Sequence, residues 1–137
     1  MPNHFHLLIQ QVTEKGVQEF VGKLANSYTK YFNTRHNRIG PLFQGEFKAV
    51  LIESDEQLIH VSRYIHLNPY VSEITKDLNY YPYSSFLEYT KPMSDEICTK
   101  QPIMHFFQKD NYKNFIHDYE DYALGVKQIS HLLIDFD

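Results

Sequence analysis

The chain has 137 residues, 42% of them hydrophobic and 15% aromatic. That is one domain's worth of sequence with enough apolar side chain for a core, which excludes wholesale disorder. Its single cysteine, Cys98, excludes an intramolecular disulfide and a cysteine zinc cluster, and no apolar run is long enough to span a bilayer. No basic region followed by an apolar stretch opens the chain, and a reduced, cytoplasmic setting is expected. The net charge of -4 argues against a generic nucleic-acid binder. It is unevenly spread, however. Residues 71–137 carry -5, whereas residues 15–48 carry +4 through Lys15, Lys23, Lys30, Arg35, Arg38 and Lys48 against Glu19 and Glu46. A polyanion site is therefore expected in the first half.

In chain order, residues 4–11 alternate like a strand. Phe5, Leu7 and Ile9 fall on one side and His4, His6 and Leu8 on the other. Residues 15–34 carry an amphipathic helical pattern through Val17, Phe20, Val21, Leu24, Tyr28, Tyr31 and Phe32, and a basic turn over 35–41 follows. Residues 42–52 predict a second strand, bent at Gly45. Ser54, with Gln57 three residues on and Asp55 and Glu56 between, predicts a capped helix that Pro69 should end near Leu67. Residues 101–124 show patchy helical spacing, and Leu132 to Ile134 could form a short strand. The stretch 91–101 reads as a linker, giving a first domain over 1–92 and an acidic helical appendage over 93–137.

Three features could carry chemistry. His4 and His6, one residue apart on a strand, would project about 6–7 Å apart from one face, close enough to share a metal ion. Alone, such a pair is more often a pair of satisfied surface histidines. His60, Tyr64 and Asn68 share one helical stripe at i, i+4, i+8. A Tyr hydroxyl and an amide one turn apart can address a common point, although a packed Tyr and a C-capping Asn would leave the same pattern. The basic segment with its interleaved aromatics suits a single-stranded backbone with stacked bases. For the helical aromatics a core stripe is the plainer reading, which leaves Arg35, Arg38 and Lys48 as the better phosphate contacts, with Lys23 and Lys30 on the outer helix face.

Taken together, MPNHFHLLI, GPLFQGEFKAVLI and SRYIHLNPY resemble the IS200-like, single-tyrosine HUH transposases, and more nearly their REP-associated branch. The resemblance covers about residues 1–89, including YPYSSF. It implies an α+β fold, a ferredoxin-like antiparallel sheet backed by helices. It implies that His4 and His6 are the metal-binding pair, that Asn68 is a further ligand where the family often has Gln, and that Tyr64 is the nucleophile. It further implies a divalent ion, Mg²⁺ or Mn²⁺, and a single-strand DNA endonuclease and strand transferase working through a 5′-phosphotyrosine. Arg63 is a lesser candidate for DNA contact, and His60 is a proton shuttle, a residue supporting the metal ligands from behind, or packing. Single-stranded or hairpin DNA is the implied partner. Family members carry a further strand and helix before the PNH motif, so the chain reads as truncated at its start. A second copy, as a homodimer, could cover the sheet edge this exposes. No membrane partner and no nucleotide cofactor are expected. Two rivals stand beside this reading: an inactive remnant that only binds nucleic acid, and a small metal hydrolase with a water nucleophile.

Overall fold

The computed structural model describes residues 3–108 and 111–120. Its chain forms two compact units, one from residues 1–7 together with the chain from Ile52 onward, the other from Leu8–Leu51.

The Leu8–Leu51 unit is built on helix α1, Gly16–Arg35, as the periodicity of 15–34 predicts. Its C-terminus closes with a Schellman arrangement. Asn37 takes a left-handed φ of 51°, the N–H of His36 bonds the Phe32 carbonyl, and the N–H of Arg38 reaches back to the Asn33 carbonyl at 2.9 Å. Asn is one of the few side chains that accept this backbone conformation, and the bonds satisfy carbonyls that the helix end would orphan. The chain then folds back, and Phe43 packs on Tyr28 with ring centroids 6.2 Å apart.

In the other unit, helix α2 covers Asp55–Val71. Ser54 Oγ accepts the N–H of Gln57 at 3.1 Å, and Gln57 Oε1 accepts the N–H of Glu53 at 2.8 Å. This is the expected box, with its reciprocal bond moved one residue upstream. Exchange of Ser54 for Ala should cost about 1 kcal/mol, read as a lower urea midpoint at unchanged slope. Pro69 lies inside α2 rather than ending it. Its fixed φ suits a helix, and the cost is one missing donor for the carbonyl four residues back. The helix closes two residues later, where the N–H of Ser72 bonds the Asn68 carbonyl.

A 3-10 turn at Leu78–Tyr80 and helices α3 (Phe86–Thr90), α4 (Gln101–Met104) and α5 (Asn111–His117) complete this unit. Leu67 of α2, Leu78, Phe86, Ile103, Tyr112 and Ile116 form its buried cluster, each side chain worth about 1.5–3 kcal/mol of apolar burial. The 91–101 stretch is tied down by Glu88, whose Oε2 accepts the N–H groups of Ile97 and Cys98 at 3.0 and 2.9 Å. Residues 121–124 and 132–134, where helix and strand were also expected, lie outside the described residues.

The expected ferredoxin-like sheet is not there. Among the described residues there is no strand, and the architecture is helical. Residues 4–11 and 42–52 have strand-like sequence but no regular secondary structure. A strand has no internal hydrogen bonds and exists only where a neighbour offers a ladder. Neither segment finds one, so the alternation is not converted into a buried face: Phe5, Leu7, Leu8 and Ile9 are all exposed. Among the described residues no helix is long and apolar enough to cross a membrane.

Candidate active site

His4 and His6 stand edge to face with ring centroids 5.0 Å apart. The side chain of Asn3 holds His4, its Oδ1 lying 2.8 Å from His4 Nδ1. His6 lies edge-on to Tyr64 of α2 at 5.5 Å. Residues 58 positions apart in sequence thus form one cluster, within one compact unit.

The two nitrogens of His6 differ in what they demand. Nε2 is buried and has no hydrogen-bond partner, a costly state for a polar atom. Burial, and secondarily the neighbouring His4, lower the pKa of His6 below the ordinary 6.5, which favours the neutral ring that a metal ion requires. Two imidazoles and a sealed, unsatisfied nitrogen therefore fit a borderline divalent cation. Among the described residues no group of three His, Cys, Asp or Glu side chains could hold an ion, so a third protein donor must be of another kind, such as an amide oxygen.

Asn68 lies one turn beyond Tyr64 on the same stripe of α2. Its Oδ1 accepts only a long bond from Ser72 Oγ, 3.4 Å, and no hydrogen bond joins it to His4 or His6 among the described residues. Tyr64 is 58% exposed, and its hydroxyl is not used in holding the described structure together.

His60 is exposed, and its Nδ1 lies 2.7 Å from Nη2 of Arg63. A guanidinium only donates, so Nδ1 is the acceptor and the neutral ring carries its proton on Nε2. Arg63 itself is not spread toward solvent. Its guanidinium stacks at 3.8 Å over Tyr119 and 4.2 Å over Phe115, the arrangement of a cation–π clamp.

Of the other cations, Lys30 and Arg38 line one open depression of about 590 Å³ with Asn33, Thr34, Asn37, Ile39 and Gly40. Arg38 is steadied there by a 3.1 Å bond to Asn33 Oδ1, and Asn33 donates to the Gly40 carbonyl at 2.8 Å. Lys23 pairs with Glu19 at 3.6 Å on the exposed face of α1, while Arg35 and Lys48 are exposed.

The pattern reading missed the buried set behind α2. Ser62 Oγ donates to the Ile59 carbonyl at 2.8 Å and accepts from the Tyr112 hydroxyl at 3.2 Å. The Tyr112 oxygen is then free to accept from His66 Nδ1–H at 2.7 Å, while Ser85 Oγ donates to His66 Nε2 at 2.9 Å. A neutral His66 satisfies every polar atom in this chain, and burial pushes its pKa down to about 4. Ser62 and His66, one turn apart, were a signal in the sequence. Nothing pointed to Tyr112.

A phenol ring beside paired imidazoles sets a hydroxyl-bearing side chain near two nitrogen-bearing ones, side-chain types that metal-assisted nucleophilic enzymes use. Residues 1–68, half the chain to within one residue, match the model of the IS200-like transposases, and the chain belongs to that family. Its members are DNA-binding, DNA-cleaving enzymes that generally use a divalent metal. No curated protein and no solved structure matches the chain.

Proposed function

We propose that this transposase cuts and rejoins single-stranded DNA through Tyr64. The observation that carries the reading is the approach of Tyr64 to the His4–His6 pair, 5.5 Å from His6, in a chain of this family. His4 and His6 would hold a Mg²⁺ or Mn²⁺ ion, with the Asn68 amide as a further donor. Bound there, the ion would polarise the scissile phosphate and stabilise charge on its oxygens.

The Tyr64 hydroxyl gives its proton to solvent as its oxygen attacks phosphorus, the bond from phosphorus to the 3′ oxygen breaks, and that oxygen takes up a proton and leaves as a 3′-hydroxyl. The 5′ end stays on Tyr64 as a phosphodiester, so the reverse attack by a 3′-hydroxyl rejoins strands without a nucleotide cofactor. With Nδ1 engaged by Arg63, His60 presents an N–H on Nε2. That suits it to donate to a phosphate or leaving oxygen and not to accept the Tyr64 proton.

Lys30 and Arg38 in their shared depression, with Arg35, Lys48 and Lys23, would meet the backbone of the single strand. Each phosphate contact adds about 0.7 to the slope of log affinity against log salt for a single strand. Arg38→Ala should therefore lower that slope by about 0.7, measured by fluorescence anisotropy from 50 to 300 mM salt. Arg63, stacked on Phe115 and Tyr119, is the weakest of the proposed phosphate contacts.

The test is incubation with single-stranded hairpin DNA and Mn²⁺, followed by a denaturing gel. A covalent adduct lost in Tyr64→Phe supports the reading, and no adduct across a broad hairpin library with folded protein defeats it. The metal is tested separately. His6→Ala should weaken Mn²⁺ binding at least about tenfold, read by electron paramagnetic resonance of the free ion.

One observation favours a second reading, a module that only binds nucleic acid. The segment that carries His4 and His6 has no backbone ladder among the described residues. That reading predicts salt-sensitive binding and no adduct.

A further inference from the structure

We propose that Tyr112, in the region beyond residue 68, is a positioning residue for Tyr64. The proposal rests on the reading of Tyr64 as the nucleophile. Residues advance 100° per step on a helix. Ser62 and His66 flank Tyr64 by two positions each, so both lie about 200° around α2 from it. The face of α2 opposite Tyr64 is thus the face that Tyr112 holds.

That hold is made by one hydroxyl. Tyr112 is 1% exposed, and its oxygen bridges His66 Nδ1 at 2.7 Å and Ser62 Oγ at 3.2 Å. Two points one turn apart fix both the height and the rotation of the helix, where a single apolar contact would leave rotation soft. A second grip comes from the same part of the chain. Arg63, the residue before Tyr64, is stacked over Phe115 of α5 and over Tyr119 just beyond it. Rotation of α2 that carried Tyr64 away from His6 would break both grips at once. The family match ends at residue 68, so the elements that set the azimuth of the nucleophile come from the part of the chain beyond that match. A displacement of the order of 1 Å in an attacking atom can cost about a hundredfold in rate, which gives such a tether a catalytic consequence without any contact with DNA.

The test is Tyr112→Phe in the full chain, which keeps the ring and removes the hydroxyl. Adduct formation with single-stranded hairpin DNA and Mn²⁺ is measured under single turnover. Hairpin affinity, circular dichroism and amide exchange over residues 60–68 are measured alongside. The expected result is an adduct rate at least about fivefold lower, the scale of one lost hydrogen bond. Hairpin affinity and the dichroism spectrum should be unchanged, with faster exchange over 60–68. A wild-type rate per folded molecule overturns the proposal. So does a rate loss matched by an equal loss of folded protein and of affinity, which marks a merely structural role. If Tyr112→Phe does not fold, Ser62→Ala removes one anchor of the same hydroxyl with every ring retained and takes the same readouts. If the wild type makes no Tyr64-dependent adduct, the transposase reading fails on its own terms. Amide exchange then decides the tether, with unchanged protection over 60–68 in the variant overturning it and faster exchange there upholding it.

Discussion

Exchange of Tyr64 for Phe is expected to abolish the covalent protein–DNA adduct, a loss of at least about a thousandfold, with the fold intact. Both halves of that expectation follow from the position of the side chain. Tyr64 is 58% exposed, and its hydroxyl takes no part in the described hydrogen bonds. Phe keeps the ring that meets His6 edge-on, so stability should change by no more than about 0.5 kcal/mol, as for exposed sites generally. The lost oxygen is the atom that would bond to phosphorus, and no neighbour replaces it. The variant also separates the rivals. A hydrolase in which His4 and His6 serve a water nucleophile keeps its turnover in Tyr64→Phe and never shows an adduct. Hairpin affinity does not discriminate, since an enzyme and a binding module could both keep it. Denaturing gels and single-turnover rates on the same hairpin are therefore the decisive measurements.

What could be read from the sequence was what is local. The Ser54 cap and its Gln57 partner lie within one turn, and the period of α1 repeats within four residues, so the cap and the helix survive into the structure. The expected core stripe does not, since in α1 only Val21 is buried and Phe20, Leu24, Tyr28 and Tyr31 are exposed. The common stripe of His60, Tyr64 and Asn68 follows from 100° per residue alone. The sheet did not survive, because a strand depends on a partner that its own residues do not specify. Alternation at Phe5, Leu7 and Ile9 reports a propensity and not a ladder. Pro69 misleads for a related reason: the rule against helix before proline is a local bias, and packing of Leu67 and Pro69 in a buried face outweighs it. At the site, the motif around His4 and His6 and the motif around Tyr64 were each visible, and the structure brings His6 and Tyr64 together. The order of support beneath them was not visible. His66 lies off the Tyr64 stripe, and its partner Tyr112 is 46 residues away with no pattern joining the two.

That buried histidine makes the second large effect, a dependence of stability on acidity. Burial lowers the His66 pKa to about 4, from 6.5 in an open chain. The unfolded chain therefore takes up a proton between these values and the folded chain does not, so stability rises with pH across this window. The contribution is fully present above about 6.5 and is lost as pH falls toward about 4. Its size is ~3 kcal/mol at most, taking 1.36 kcal/mol for each tenfold change in proton affinity. His6, whose pKa is also lowered, adds a smaller term of the same sign, so the wild-type curve alone cannot be assigned to one residue. The difference between wild type and His66→Gln isolates it. Gln does not titrate, and its amide can still offer a donor and an acceptor toward Tyr112 and Ser85. Urea unfolding at pH 4.5, 5.5 and 7 should give a wild-type stability that climbs steeply and a variant that climbs less, with the variant less stable at pH 7 by about 1–3 kcal/mol. Equal slopes in the two proteins would show that His66 is charged or solvated in the folded state, and would overturn the role of its Nε2 as an acceptor from Ser85.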